Sequence, residues 1–129
     1  MKFMLMIKAD QAYEAGEPPN PALMAAMGPY VEKMARSGTL LESGGLFPSS
    51  HGARLSVADG RFTLTDGPFA ETKELLGGYA IVEVASKAEA IALSREFLQL
   101  HVDVLGPGYR GVSEIREMMA LTSFAPVQA

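Results

Sequence analysis

The order of strand-like and helix-like hydrophobic patterns constrains the fold of this chain more than any other feature. Apolar residues that alternate with a period of two predict strands, and apolar residues spaced three and four apart predict helices. Along the chain these patterns run strand, helix, two or three hairpin strands, a long strand, helix and strand. Runs of antiparallel strands with helices on one face indicate an α+β sandwich.

The first predicted strand, Lys2–Ala9, is apolar on both faces. Phe3 and Leu5 point to one side, and Met4 and Met6 point to the other. A strand with two apolar faces is typical of a central position in a sheet that is covered on both sides. We therefore expect Lys2–Ala9 to be central, with one side covered by helices and the other available to a second subunit.

Local signals mark the helices that follow. Asn20-Pro21 predicts an N-cap and a first helical residue, after a Pro- and Gly-rich loop over 11–21. Pro29 interrupts this first helix and is expected to kink or split it. Ser86 and Glu89 form a capping box that starts a second helix, expected to end near residue 100.

Turn signals mark the strands between and after these helices. Asp59-Gly60 predicts a tight hairpin between two short strands, and Gly77-Gly78 predicts a bulge or a close backbone approach within a long strand over 75–84. A last strand is expected over 112–118. The resulting β-α-β-β-α-β outline is that of the ferredoxin-like sandwich.

Size, charge and composition exclude several classes of function. A chain of 129 residues suits one domain, expected over 1–119 with a C-terminal tail over 120–129. The absence of cysteine excludes a thiol nucleophile and a zinc-thiolate site, and two distant histidines predict no metal site. A net charge of −4 with scattered basic residues predicts no nucleic-acid binding. The first apolar run is too short to span a membrane, so we expect a cytoplasmic protein.

The stretch TDGPFAETKE, Thr65–Glu74, is the most distinctive motif of the chain. It resembles the signature of the DGPF group within the YCII-related proteins, and the segments on both sides, Ala25–Leu55 and Leu75–Phe97, are similar in layout to members of that group. The resemblance implies a dimeric α/β barrel made of two ferredoxin-like sandwiches. It also implies three possible roles, namely a His–Asp active site, dehydrochlorinase-like chemistry and an association with extracytoplasmic-function sigma factors. This chain has no histidine in its first strand or first helix, so no such pair transfers directly.

The motif itself supplies four candidate site residues. Asp66 turns the chain and is a candidate catalytic acid or base, Phe69 anchors the segment, and Glu71 and Lys73 are expected to face a cleft as ligand-binding residues. A structural alternative stays open, in which Asp66 only caps a turn and the charged pair forms a clasp. An exposed ion pair contributes only about 0–1 kcal/mol, so stability alone hardly explains the charges.

His101 is the candidate proton carrier, because it continues the apolar face of the second helix and histidine is the side chain best suited to carry protons in general base chemistry. The alternative is a helix C-terminal histidine that contacts the last carbonyls. Its acidic partner is expected to be Asp66, or Asp103 if the helix has ended by then. His51 lies in a polar loop and is expected to be exposed.

These residues predict a homodimer without a cofactor that binds a small anionic or phenolic molecule and performs acid–base chemistry of the elimination or isomerisation kind. The alternative is a noncatalytic interaction or regulatory module. An enzyme should bring two titratable groups to one cavity, whereas a module should expose an apolar patch.

Overall fold

The computed structural model describes residues 1–71 and 74–120. Lys73 and all of the predicted tail except Ala120 therefore lie outside the described residues. The strands are β1 (Lys2–Lys8), β2 (Leu40–Gly45), β3 (Ala53–Ala58), β4 (Arg61–Asp66), β5 (Leu76–Glu83) and β6 (Ser113–Glu117). The helices are α1 (Gln11–Glu14), α2 (Pro21–Arg36) and α3 (Lys87–Leu105), and a 3₁₀ turn covers Ser49–His51.

Four strands form one antiparallel sheet in the order β2-β5-β1-β6. This order is the ferredoxin-like arrangement, with β3 and β4 inserted as a separate two-stranded hairpin between β2 and β5. The prediction that the first strand is central is confirmed, because β1 pairs with β5 on one side and with β6 on the other. The α+β fold class is confirmed as well.

The core lies between one face of this sheet and the helices α2 and α3. Phe3 and Val82 are 1% and 0% exposed, and they are register partners across β1 and β5. Leu5, Leu40 and Ala90 complete the buried cluster. Because side chains alternate along a strand, this packing turns every second residue of the sheet away from the helices.

The opposite face of the sheet has no helix on it in the described ranges. Met4 pairs with Ile81 and Met6 pairs with Tyr79, so the four side chains share this face, and all four are only half-buried. Tyr79 donates a hydrogen bond of 2.9 Å from its hydroxyl to Glu42 on the neighbouring strand β2. We call this surface the open sheet face.

The helix α2 starts where its sequence predicts, but Pro29 does not split it. The Asn20 side chain accepts hydrogen bonds from the backbone N–H groups of Ala22 and Leu23 at 2.9 and 3.1 Å. Gly38, just beyond the helix, has a φ of +79°. The helix runs unbroken through Pro29 because packing against α3 and β2 holds both halves together.

Two helix boundaries differ from the prediction. The segment expected as a loop over 11–21 begins with α1, whose first turn is capped by the Asp10 carboxylate at 2.7 Å from the Tyr13 N–H. The helix α3 continues to Leu105 instead of ending near residue 100, because Gly106, with a φ of +97°, is the first residue that breaks it. His101 therefore lies inside a helix.

The glycine signals within the strands are confirmed. Asp59 and Gly60 have φ values of +52° and +75° and turn the chain from β3 to β4. A Cβ atom on Gly78 would lie 3.0 Å from the Gly44 carbonyl oxygen, so the backbones of β5 and β2 approach closely there.

Candidate functional site

The segment after β4 is held in place by a cluster of side chains that sequence analysis did not assemble. The Ser49 backbone N–H and hydroxyl donate hydrogen bonds of 2.8 and 2.5 Å to the two carboxylate oxygens of Glu14. The Ser49 hydroxyl oxygen also accepts a hydrogen bond of 3.0 Å from the Phe69 N–H. We call Glu14, Ser49, Gly67 and Phe69 the clasp. It connects α1, the 3₁₀ turn and the DGPF motif.

Gly67 is the tightest point of the clasp. Its N–H donates a hydrogen bond of 3.0 Å to the Gly52 carbonyl. A Cβ atom at this position would lie 1.7 Å from the Ser49 carbonyl oxygen, where no side chain can be accommodated without movement of the backbone. The glycine of the motif is therefore explained by steric contact between two backbone segments.

Two residues of the motif, Phe69 and Glu71, contact Arg54 at the base of the β3–β4 hairpin. The Arg54 guanidinium lies 3.9 Å from the centre of the Phe69 ring, and its Nη1 atom lies 3.6 Å from a carboxylate oxygen of Glu71. Asp66 is the last residue of β4, opposite Ala53. Phe69 and Glu71 are thus fixed by the same arginine, although Glu71 and Arg54 are both at least half-exposed.

His101 lies near the end of α3. The residue is buried, with 8% of its surface exposed, and its Nδ1 atom lies 2.8 Å from the Phe97 carbonyl oxygen. A carbonyl oxygen only accepts hydrogen bonds, so Nδ1 carries the proton in this contact. In the neutral imidazole the lone pair is then on Nε2, which is the nitrogen that can accept a proton.

Two aromatic rings flank the imidazole. The ring centres of Phe97 and His101 lie 4.6 Å apart, and the Tyr109 ring stacks on His101 at 5.0 Å with an interplanar angle of 29°. Burial raises the pKa of the Tyr109 phenol, and the negative charge of Asp10 raises that pKa further. The phenol is therefore held neutral beside the histidine.

The Nε2 atom of His101 has no hydrogen-bond partner among the described residues. In the same part of the chain every fully enclosed side-chain nitrogen or oxygen has a partner, so Nε2 keeps some exposed surface although only 8% of the residue is exposed. A histidine fixed through one nitrogen and open at the other has the geometry of an oriented base.

The acidic residues expected beside His101 are arranged differently. In α3, Asp103 accepts a hydrogen bond of 2.9 Å from the Gln99 side chain, and because the helix continues, Asp103 and His101 point in different directions. Among the described contacts, none joins His101 to Asp66, and their pairing stays a prediction. Asp10, which sequence analysis missed, is the acidic residue whose charge acts on Tyr109, the ring that stacks on His101.

The short helix α1 links the two groups of residues. Asp10 caps its first turn and acts on Tyr109, and Glu14 at its end binds Ser49 of the clasp. A four-residue helix is about 6 Å long, so Asp10 and Glu14 at its two ends lie close to each other. No periodic pattern marks Asp10, Glu14 or Tyr109, which explains why the sequence did not reveal them.

Two other regions of the described structure, the His51 loop and a groove beside α3, lack the arranged polar groups found around His101. His51 is exposed and stacks on Phe47 at 5.0 Å, as its polar loop predicted. A shallow groove of about 320 Å³ runs between α3 and β6, and neither His101 nor the clasp lines it. Over the described ranges, no group of three or more His, Asp or Glu residues is placed to hold a metal ion, and no helix has the length and apolar character needed to cross a membrane.

Comparison with known proteins gives two matches. The family model of the YCII-related domain matches residues 1–97 of the chain. A protein of Rhizobium meliloti (strain 1021), described as uncharacterised, is 38% identical over 74 residues. That alignment covers 57% of this chain and 56% of the relative, so the chain spans about half the length of the protein it matches.

Proposed function

The chain belongs to the family of YCII-related domains, and from that premise we propose that it acts as a homodimer that binds a small phenolic molecule beside His101 and performs acid–base chemistry on it. The observation that carries this proposal is the orientation of the imidazole. Its Nδ1 proton is engaged by the Phe97 carbonyl, which leaves the Nε2 lone pair directed away from its own helix backbone.

The proposed chemistry is removal of a proton by Nε2. A general base must reach the proton through a hydrogen bond or one bridging water, and its orientation is supplied here by the Phe97 carbonyl. The imidazolium that forms would keep its Nδ1 hydrogen bond, and the proton on Nε2 would return to another atom of the ligand. Return of the proton to a different atom completes an isomerisation. In an elimination the bond from the neighbouring carbon to a leaving group breaks instead, the leaving group departs with its electron pair, and the proton on Nε2 passes to solvent.

The charge and shape of the surroundings favour a phenolic ligand over an anionic one. The rings of Phe97 and Tyr109 offer aromatic surfaces on which a planar ligand packs well. The carboxylate of Asp10 repels a second negative charge, since after burial it is the other cause of the raised pKa of Tyr109. A neutral phenol packs on these rings and carries no negative charge, and its hydroxyl can donate a proton to Nε2.

The clasp has a supporting role in this proposal. Of the predicted ligand-binding residues, Phe69 is connected to α1 through Ser49 and Glu14, and Glu71 contacts Arg54, which lies over the Phe69 ring. Through α1 the DGPF motif therefore positions Asp10 and the wall of the proposed site, without itself touching the ligand. Lys73 and Asp66 stay candidates for the rim of the cleft, and the pairing of Asp66 with His101 is not needed for this version.

The homodimer is supported by the open sheet face. Met4, Met6 and Ile81 lie in the centre of the sheet, and an apolar sheet face exposed to water is unfavourable. In the proposed dimer the open faces of two chains are turned towards each other, which gives the α/β barrel implied by the resemblance. At about 10 μM, wild-type protein is expected to sediment as a dimer, as ordinary micromolar or tighter affinities require.

A second candidate function is a noncatalytic interaction module. It is favoured by a specific observation, namely the large apolar side chains that the β3–β4 hairpin exposes, including Phe62 at 71% and Leu55 at 67%. In that version the protein binds another macromolecule and His101 is only a buried helix residue. The two candidates differ in whether Nε2 is accessible to a small ligand.

Nuclear magnetic resonance of the two histidines distinguishes these candidates. Long-range ¹H–¹⁵N spectra should show His101 as the tautomer protonated at Nδ1, and titration with 4-chlorophenol should shift its Nε2 signal. His51 is the internal control and should shift much less. A His101 protonated at Nε2, or equal response of both histidines to the phenol, would contradict the proposed site.

Turnover supplies the second test. In a screen of substituted hydroquinones and other phenols, any activity found should fall at least about a hundredfold in a His101→Gln variant, which is the usual effect of a positioned acid or base. His51→Gln is the matched control and should retain activity. If both variants keep full activity, His101 is not the base.

A further inference from the structure

The β3–β4 hairpin has one apolar face and one polar face. In its register Leu55 lies opposite Leu64, and Val57 lies opposite Phe62, so these four side chains project from the same side. They are 67%, 65%, 59% and 71% exposed, respectively. We call them the hairpin face. The exposed area of these four side chains is about 400 Å² in total, which is large enough to mark an interaction surface.

Nothing in the described part of the chain covers this face. The two strands pack closely only on each other, and an isolated two-stranded hairpin is marginally stable in water. The base of the hairpin is nevertheless held firmly, by the hydrogen bond from Gly67 to Gly52 and by the contacts of Arg54 with Phe69 and Glu71. The hairpin is therefore presented as a supported arm.

We propose that this arm binds a second copy of the same chain, with the hairpin face of each chain packed on the open sheet face of its partner. The inference rests on the homodimer proposed above and specifies how that dimer is held together. In the dimer the two arms would close the space between the facing sheets.

The dimensions of the two surfaces agree. Strands of six residues give an arm about 20 Å long, and the four strands of the sheet are spread over about 14 Å, so the arm can cross the partner's sheet. If each hairpin face covers an equal area of its partner, two arms bury about 1,600 Å² in all. That area is the standard size of a specific protein–protein interface.

A second copy is chosen as the partner because each chain carries two apolar surfaces that can cover one another between two chains. The described residues expose two apolar sheet surfaces, the hairpin face and the open sheet face around Met4 and Ile81. A chain that carries both surfaces can satisfy both at once in a two-fold symmetric dimer, where each contact occurs twice. A different protein bound to the hairpin would leave the open sheet face unexplained.

The first test compares substitutions on the two sides of the same strand. Phe62→Lys places a charge on the hairpin face, and Thr63→Lys is the matched control, because residue 63 projects from the polar side. By sedimentation equilibrium, F62K should raise the dimer dissociation constant at least about a hundredfold, since each dimer loses two buried phenyl rings. T63K should change it by less than about threefold, on the usual small effect of exposed substitutions.

The second test uses the absence of natural cysteines. Leu64→Cys on the arm and Met6→Cys on the open sheet face are prepared in separate chains, which are mixed and treated with a short bismaleimide. The mixture should yield a covalent heterodimer of one chain of each kind, whereas Thr63→Cys in place of L64C should yield little. This measurement also covers the case in which F62K does not fold.

The outcomes separate the two proposals. A monomeric wild type overturns the homodimer and this inference together. A wild-type dimer that F62K does not weaken, with no crosslink between the two positions, overturns the arm and leaves the homodimer intact. In that case the hairpin face would serve a different partner.

Discussion

The clasp predicts that Gly67→Ala destabilises the protein far more than an ordinary loop substitution. The added methyl group would lie 1.7 Å from the Ser49 carbonyl oxygen, about half the usual contact distance. The obstructing atom belongs to the backbone, so the contact cannot be relieved by turning a side chain. Either the 3₁₀ turn at Ser49 or the DGPF segment must move by more than an ångström.

The magnitude follows from the contacts that such a movement breaks. Overpacking alone costs about 1–3 kcal/mol. The shift also weakens the hydrogen bonds from Ser49 to Glu14 and from Phe69 to Ser49, each worth about 1 kcal/mol. We expect a loss of about 3–5 kcal/mol in the free energy of unfolding. For a domain of this size that corresponds to a decrease in Tm of about 10 °C or more.

Urea and thermal unfolding monitored by circular dichroism measure this loss. Gly52→Ala is the matched control, because its Cβ atom would lie 3.5 Å from the same Ser49 oxygen, an ordinary contact distance. G52A should therefore stay within about 1 kcal/mol of wild type. If G67A is as stable as G52A, the two backbone segments are not in contact as described and the clasp is refuted.

Two further predictions concern α2. The Tyr30 hydroxyl donates to Glu96 at 3.1 Å, and burial followed by this contact raises the pKa of Tyr30 above its usual value of 10.0. A raised pKa means that the stabilisation by the neutral phenol is complete below pH 10 and is lost as the pH rises beyond it. In urea unfolding, wild type should therefore lose more stability than Tyr30→Phe between about pH 9 and pH 11.5. Parallel losses in the two proteins would contradict this. Gly28 is exposed within α2, and apart from its chain neighbours and its own helix backbone no atom lies near its Cβ position. Gly28→Ala should raise the free energy of unfolding by about 0.5–1 kcal/mol. A decrease in thermal unfolding temperature would show that the new methyl group clashes with the ring of the adjacent Pro29.

The sequence marked the DGPF motif as distinctive but did not show the contacts that explain its residues. Its charge and turn residues predicted either the lip of a cleft or a structural clasp. In the structure, the Phe69 N–H donates to the Ser49 hydroxyl and the Gly67 backbone lies against the Ser49 backbone, and the sequence marked Ser49 only as part of a polar loop. The clasp accounts for these two residues, and the role of Asp66 at the rim stays a prediction.

The sequence by itself determined the order of the strands and the two long helices, the central position of β1, the hairpin turn at Asp59-Gly60 and the caps at Asn20 and Ser86. Each of these depends on residues within a few positions of one another, because hydrophobic period, backbone conformation and capping are local properties. The length of α3 was misjudged because only Gly106 ends it.

Only the tertiary structure brought together the residues of the candidate site. Glu14 and Ser49 are 35 positions apart, and Asp10 and Tyr109 come from opposite ends of the chain. Each lies in or beside a loop without a periodic pattern, so nothing local predicts its partner. The protonated nitrogen of His101 likewise depends on its place within α3, which orients Nδ1 to the Phe97 carbonyl. Such contacts are set by how the helices and the hairpin pack on the sheet, and packing joins residues that the sequence keeps far apart.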